Sequence, residues 1–343
     1  PRQPGIGSPK KSQKDPRKDA ETWVRMLFLP TIALVGFKYC CSGSIPSSSR
    51  RTTTMAAKSA ASALFEGDEL WDPSWKEDNG EKTIKDRMGV EDPDLLLYSS
   101  WFCPFAQRAW ITLEETKVNY RWVEIDPYEV DPSSPGGYTK KPLPLEEKRR
   151  LHPGFVEASP RGLVPAILDK GDKKVWDSLT VAEYIDAVYG GGQLLPSDPH
   201  ERAMVRIWAS HCSERIAVTF MRAMMTQDTE NRKACLEALY QECRAFANAM
   251  VQDGGPFFLG DRFSLADIAL ASFWQHMMWV GPDWMGMELP KDDPAFERLQ
   301  RWANATLTRP SVAATRVCRP RLVSTYSPYA KNTAQSDFTK NLK

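Results

Sequence analysis

The sequence lacks the paired cysteines that a zinc ribbon or a disulfide framework requires. Its seven cysteines are odd in number and, apart from the adjacent Cys40 and Cys41, widely spaced, and no two of them stand in a Cys-x-x-Cys pair. We therefore expect no bound metal. A reduced, intracellular compartment is the simpler inference, because disulfide-stabilised proteins belong to oxidising compartments.

The sequence also lacks an excess of either charge and any long apolar run. Its 45 Lys and Arg residues balance 44 Asp and Glu residues, which gives no electrostatic reason to expect nucleic acid as a partner. The run from Leu27 to Phe37 contains Pro30 and is too short to span a membrane, although it fits the core of a leader peptide. We expect a cytoplasmic protein if translation starts at Met55, and a leader-bearing or organelle-targeted form if it starts at Met26.

Changes in composition along the sequence divide the chain into four parts. Residues 1–90, rich in Lys, Arg, Pro and then Ser and Thr, predict a disordered or leader segment that ends in an extended arm. Residues 91–190 mix strand and helix patterns, residues 200–325 show helix patterns alone, and residues 326–343 form a tail. The sequence therefore predicts a small α/β domain followed by an all-helical domain.

The α/β part has a recognisable order of elements. Strands are predicted at residues 95–98, 121–125, 164–168 and 174–176, and helices after Pro104 and over residues 178–188. The first strand, helix and second strand form a unit that needs parallel pairing and a crossover. The last two strands are predicted to be antiparallel. Residues 127–155, rich in Pro and Lys, are expected to be an irregular loop.

The C-terminal part is predicted to be a series of long helices, over about 201–226, 229–252, 264–280 and 294–308. The third is the clearest, because Ser264 and Asp267 have the spacing of a capping box at its start. No strand pattern interrupts this region.

Cys103 is the leading candidate for chemistry. It stands after a strand and turn and directly before Pro104, which suits the first position of a helix. Unpaired N–H groups and the helix dipole at that end stabilise negative charge and so favour a thiolate. The competing interpretation is a buried structural cysteine, which we assign instead to Cys212, Cys235 and Cys243 inside helical patterns.

The residue three positions after Cys103 is Ala106, so no resolving thiol lies in the same turn. A dithiol cycle is therefore not expected. A single thiol must form a mixed disulfide that a second, soluble thiol releases.

The run Cys103-Pro104-Phe105-Ala106-Gln107-Arg108 resembles the active-site motif of omega-class and lambda-class glutathione transferases. In the same order, Pro160 to Pro165 resembles that family's loop ending in a cis-proline. Asp177-Ser178 resembles its acidic-serine pair, and Ser264 to Asp267 its helical capping box. The resemblance covers roughly residues 92–325. It implies a thioredoxin-like N-terminal domain and an all-helical glutathione-transferase C-terminal domain.

The resemblance also implies the roles of individual residues. Cys103 would be the catalytic thiolate, and glutathione the co-substrate. The implied glutathione site consists of Phe105 lining it, Val164 pairing its backbone with the cysteinyl group, Pro165 in the cis form, Asp177 meeting the γ-glutamyl ammonium and Ser178 holding the γ-glutamyl carboxylate. The family more often has Glu at the position of Asp177, which shortens the reach by one methylene. His152 is a candidate for contacting the glycyl carboxylate, against its interpretation as an exposed bystander.

The helical domain is expected to supply the pocket for the second substrate. Trp208 and His211 are three residues apart on its first helix and are candidates for that pocket. The alternative is that they belong to the helical core, the more common place for such side chains.

Three functions stay open at this point. The leading one is a glutathione-dependent thiol transferase or reductase that acts on a small-molecule or protein disulfide, on dehydroascorbate or on a glutathione conjugate. The second is a non-catalytic protein like the intracellular chloride channels, which share the fold and a Cys-Pro-Phe-Ser-Gln-Arg run. Charges at Glu114, Glu115 and Lys117 disfavour the membrane insertion that this would need. The third is a ligand carrier. Family members are commonly dimers, so a homodimer is among the expected assemblies.

Overall fold

The computed structural model describes residues 79–134 and 136–342. The predicted leader, both candidate start residues Met26 and Met55, and the first part of the predicted arm lie outside the described residues. No described helix combines the length and the apolar character needed to cross a lipid bilayer.

A four-stranded mixed sheet organises the α/β part. Its strands are β1 (Leu95–Ser99), β2 (Tyr120–Glu124), β5 (Ala166–Asp169) and β6 (Lys173–Trp176), in the order β2-β1-β5-β6. β1 and β2 are parallel, whereas β5 is antiparallel to both β1 and β6. These pairings confirm the predicted parallel crossover and the predicted antiparallel last pair. Helix α2 (Pro104–Thr116) makes the crossover and packs against helix α5 (Ser178–Ile185).

The stretch 127–155 is not the irregular loop that its composition predicted. It contains a hairpin of β3 (Tyr128–Val130) and β4 (Tyr138–Pro142), followed by helices α3 (Leu145–Leu151) and α4 (Pro153–Ala158). Tyr128 and Tyr138 are buried and anchor the two short strands. The prediction was wrong here because each element is too short to show a period, and tertiary burial of the tyrosines fixes them instead.

Residues 79–88 also differ from the expected disordered or extended segment. They form helix α1 (Asn79–Met88), which buries Ile84 and packs beside β2. Its start lies against the C-terminal part, where the Gly80 N–H donates to Arg316 O at 2.7 Å. A Cβ at position 80 would lie 2.6 Å from that oxygen, so the contact needs glycine. Only two of its ten residues, Ile84 and Met88, are apolar, which is too few to show a helical face. Contacts distant in sequence hold α1 in place.

The C-terminal part is helical, as predicted. Helix α6 (Pro199–His211) continues through a wider π-helical turn (Cys212–Ile216) into α7 (Ala217–Met225). The other long helices are α8 (Thr229–Ala249), α9 (Leu265–Met285) and α10 (Pro294–Thr308). The capping box of α9 is present: one oxygen of the Asp267 carboxylate accepts from the Ser264 N–H and hydroxyl, at 2.8 and 2.7 Å.

The last part of the chain, predicted to be a tail over residues 326–343, contains helices. After α11 (Pro310–Ala313) and α12 (Arg319–Thr325), it forms α13 (Ser327–Ala330) and α14 (Asp337–Leu342). These elements contact the β3–β4 hairpin, since the Gln335 N–H donates to Lys140 O at 3.2 Å and the Tyr128 and Tyr329 hydroxyls share a hydrogen bond of 3.1 Å. Buried Tyr329 and Phe338 provide the anchors.

Candidate active site

Cys103 caps the N-terminus of α2, as predicted. The strand β1 ends at Ser99, a turn closes through the Cys103 N–H to Ser100 O at 3.0 Å, and Pro104 begins the helix. The backbone N–H groups of Phe105 and Ala106 are oriented so that they stabilise negative charge on the sulfur. The chain therefore places this thiol where a helix end favours the thiolate.

Burial opposes that effect. Cys103 is only 2% exposed, and desolvation raises the pKa of its thiol to about 11 against the N–H groups of Phe105 and Ala106 and the cations Arg108 and Lys140. In this closed arrangement the thiol is protonated. Its activation requires either solvent or a nearby group that accepts the proton.

A small cavity of about 30 Å³ adjoins Cys103. Its walls come from the start of α2, from β4, from the helices α7 and α9, and from the C-terminal elements, and they include Phe105, Lys140, Met221, Phe273, Tyr329 and Phe338. Such a volume holds about one water molecule, whereas small-molecule sites usually occupy about 300–1,000 Å³. A tripeptide can reach the sulfur only if some of the covering side chains move.

Lys140 is a site residue that the sequence did not reveal. It lies on β4, is 1% exposed, and has a left-handed backbone with φ of 59°. Its Nζ lies 4.2 Å from the centroid of the Phe102 ring, 5.3 Å from Tyr128 and 5.6 Å from Tyr329. This nitrogen has no hydrogen-bond partner among the described residues, and desolvation lowers its pKa well below the ordinary lysine value.

Arg108 is a second buried cation, and it belongs to the motif around Cys103. Its guanidinium donates to Ser178 Oγ at 3.2 Å, to Ser213 Oγ at 2.7 Å and to Ala269 O at 3.3 Å. Desolvation lowers its pKa to about 10. The side chain thus ties α2 both to the predicted glutathione residue Ser178 and to the helical part.

The residues predicted to bind glutathione lie on the loops around this helix end. The Val164–Pro165 peptide bond is cis, which confirms the predicted cis form. Val164 is buried, and its backbone makes no hydrogen bond to other backbone groups of the described residues. Asp177 is exposed and caps α5 by accepting from the Thr180 N–H at 3.2 Å. The Asp177 carboxylate is thus exposed but engaged through Oδ1 with Thr180, and the roles of Asp177 and Val164 in binding stay predictions.

Phe105 lies in the cavity wall, and His152 does not. The Phe105 ring contacts Phe273 of α9 with centroids 5.0 Å apart. His152 links α3 to α4 and is half-buried, and desolvation lowers its pKa. A contact of His152 with the glycyl carboxylate stays a prediction.

Trp208 and His211 share a helix face, as their spacing predicted, but that face packs within the helical part. The Trp208 ring contacts His211, Phe246 and Phe258, and His211 Nε2 lies 3.0 Å from Glu242 O. Neither residue lines the cavity at Cys103. The helical spacing of two residues predicts that they share a helix face, but it does not predict which element packs against that face. The contacts of Trp208 and His211 fit the interpretation that they belong to the helical core.

Within the described residues, no three His, Cys, Asp or Glu side chains are grouped so that they could hold a metal ion.

Comparison with known proteins agrees with this architecture. Residues 102–188 match the family model "Glutathione S-transferase, N-terminal domain", and residues 211–310 match "Glutathione S-transferase, C-terminal domain". The crystal structure of glutathione transferase Omega 3C from Trametes versicolor is 32% identical and superimposes with a TM-score of 0.60, covering 75% of this chain and 98% of its own.

Two curated proteins extend the similarity. Glutathione S-transferase U17 of Arabidopsis thaliana is 29% identical over 64% of this chain and 88% of its own length. Glutathione S-transferase omega-1 of Sus scrofa is 22% identical over 70% of this chain and 88% of its own length. With both domain models matched in order and the fold shared, the chain belongs to the glutathione S-transferase family.

Proposed function

We propose that this family member is an omega-like, glutathione-dependent thiol transferase whose catalytic nucleophile is Cys103. The observation that carries the proposal is the position of this cysteine at the N-cap of α2, with the Phe105 and Ala106 N–H groups and the cations Arg108 and Lys140 stabilising its thiolate. A thiolate at such a site is both a nucleophile and a leaving group, which suits disulfide exchange.

The reaction follows from a single thiol. The Cys103 thiolate attacks one sulfur of a disulfide between glutathione and a second thiol; a Cys103–glutathione disulfide forms and the second thiol leaves. A glutathione thiolate then attacks the glutathione sulfur of this mixed disulfide, releasing oxidised glutathione and restoring the Cys103 thiolate. Ala106 takes the place of a resolving cysteine, so the second step needs soluble glutathione.

Three features support glutathione as the tripeptide. The buried Val164 backbone makes no hydrogen bond to other described backbone groups, so it can pair with an extended peptide as an added strand. Asp177 offers an exposed carboxylate to an ammonium group, and the N-terminus of α5 at Ser178 offers N–H groups to a carboxylate. The second thiol would enter past the aromatic side chains that cover Cys103.

The test is the intact mass of the purified protein after incubation with oxidised glutathione, followed by peptide mapping. We expect one glutathione adduct on Cys103 that reduced glutathione removes. Cys103→Ser should lose that adduct and lower thiol-transferase turnover to the rate without enzyme. The matched control is Cys235→Ser, which removes a partly exposed cysteine on α8 and should keep both adduct and turnover.

Two results would contradict the proposal. An adduct confined to Cys235 or Cys318 would place the chemistry elsewhere. Saturable binding of glutathione without an adduct on Cys103 and without turnover would instead favour the ligand-carrier function.

A further inference from the structure

The charge state of Lys140 needs a physical explanation. A buried ammonium without a hydrogen-bond partner is costly, and lysines are almost never fully buried unless they are paired. Lys140 Nζ has no such partner within the described residues, and the side chain is 1% exposed. Burial therefore favours the neutral amine while the Cys103 thiol is protonated, and the charge of a Cys103 thiolate favours the ammonium.

Four aromatic rings surround this amine. Its Nζ lies 4.2 Å from the Phe102 centroid, 5.3 Å from Tyr128, 5.4 Å from Tyr138 and 5.6 Å from Tyr329. Ring faces attract a cation, so these four rings stabilise the ammonium form of Lys140 after the amine has accepted a proton. The cage thus permits both charge states of Lys140.

This aromatic cage borders the same cavity as Cys103, since Phe102 and Tyr329 also line that cavity. Lys140 and Cys103 both line the cavity of about 30 Å³, which is roughly the volume of one water molecule. A general base acts within hydrogen-bond reach of the proton that it takes, or through one water. Lys140 and Cys103 interact electrostatically and border the same cavity, so one water molecule in that cavity would connect them.

We propose that Lys140 is the proton acceptor and donor for Cys103, an inference that rests on the proposed thiol-transferase function. The neutral amine takes the thiol proton: the S–H bond breaks, an N–H bond forms, and an ammonium–thiolate pair results. When the thiolate attacks a disulfide, the ammonium returns its proton to the departing sulfur. In the second step the amine takes the proton of the incoming glutathione thiol.

The other titratable groups facing Cys103 are poorer acceptors. They are Arg108 on its own helix and the hydroxyls of Tyr128, Tyr326 and Tyr329. Arg108 remains a cation that donates to Ser178 and Ser213. His276 reaches the cavity only through the Tyr326 hydroxyl, 2.8 Å from its Nδ1, and burial keeps its imidazole neutral by lowering the pKa to about 3.

The experiment compares Lys140→Met, Lys140→Arg and the matched control Lys141→Met in the full chain, because Lys141 is the exposed lysine next to Lys140 on β4. The rate of Cys103 alkylation by iodoacetamide is measured against pH by peptide mapping, beside thiol-transferase turnover. Lys140→Met should raise the apparent pKa of Cys103 by about one unit or more and slow alkylation at pH 7 by about tenfold. Lys141→Met, which removes an exposed ion pair with Glu129, should leave the alkylation profile as in the wild type.

Lys140→Arg separates charge from proton transfer. Arginine keeps a permanent cation but cannot accept a proton, so alkylation should stay within about threefold of the wild type while turnover falls by about tenfold or more. The melting temperature of Lys140→Met should equal or exceed that of the wild type, because an apolar chain of similar length replaces an unpartnered buried amine. A loss of folded protein therefore cannot account for slower Cys103 alkylation in Lys140→Met.

An unchanged alkylation profile in Lys140→Met, or full turnover in Lys140→Arg, would overturn this role of Lys140. Failure of the proposed function looks different: wild-type Cys103 would form no glutathione adduct, whereas the comparison of alkylation rates would still report on Lys140.

Discussion

Glu124, the last residue of β2, contacts the turn that carries Cys103. Its carboxylate accepts from the Trp101 N–H at 3.1 Å and from Trp122 Nε1 at 2.7 Å. Desolvation outweighs these bonds and raises the pKa of Glu124 to about 8, and it raises the pKa of nearby Asp126 to about 7. Both carboxyl groups therefore hold their protons more tightly in the folded chain than in the unfolded one, and Glu124 is the one that accepts from the turn.

Glu124 should make the protein less stable as the pH rises. Because the folded pKa lies above the unfolded value, the folded state holds more protons between about pH 4.5 and 8, and the unfolding free energy falls by up to about 1.4 kcal/mol per pH unit for each such group. Glu124→Gln should flatten this slope, as measured by urea denaturation at pH 5, 6.5 and 8. Glu230→Gln, at a side chain 78% exposed, is the control, and equal slopes in the two variants would contradict the assignment.

Residues differ in how far the sequence could predict them. Cys103 and Pro165 were predicted correctly in position and backbone form, because each depends on its immediate neighbours in a short motif. Lys140 was not, since its importance comes from Phe102, Tyr138 and Tyr329, which stand up to 189 positions away in the chain and meet only in the folded protein. No linear pattern distinguishes Lys140 from exposed Lys141 beside it.

Among the elements, the β3–β4 hairpin and α14 together cover the candidate active site. The hairpin supplies Lys140, and α14 places the Phe338 ring 6.5 Å from that of Phe105. The strands and long helices could be predicted because they carry regular apolar periods. The short elements that cover the site could not be predicted, because their positions depend on tyrosine and phenylalanine side chains that pack against distant parts of the chain.

Removing part of this cover should expose the thiol. Phe338→Ala takes a ring out of the cavity wall, and solvent then reaches a cysteine that is 2% exposed in the intact chain. We expect Cys103 alkylation at pH 8 to rise by about threefold to tenfold, since desolvation is the largest contribution to its raised pKa. Alkylation of Cys235 in the same sample is the internal control, and a parallel rise at both cysteines would indicate general loosening instead.

At the scale of the whole molecule, α2 connects the sheet to the helical part. Beside Arg108, the buried Gln107 donates through Nε2 to Gln275 Oε1 at 3.0 Å, to Thr315 O at 3.2 Å and to Thr315 Oγ1 at 3.1 Å. Glu115, at the other end of α2, pairs with Arg309 and accepts from Ser311. The helix whose first turn holds Cys103 is therefore fixed in place by residues of the helical part, which the domain order alone could not predict.

Gln107→Leu should weaken this connection. The substitution puts an apolar side chain of similar size in place of the amide and leaves the acceptors on Gln275 and Thr315 buried without their donor, which costs about 1–3 kcal/mol of unfolding free energy. Lys233→Ala is the control, because it removes an exposed ion pair within α8 and should change stability by less than about 0.5 kcal/mol. Urea denaturation measures both. Since Gln107 also holds the first turn of α2, the rate of Cys103 alkylation should change in Gln107→Leu and not in Lys233→Ala, and an unchanged rate would show that the thiol is positioned by the α/β part alone.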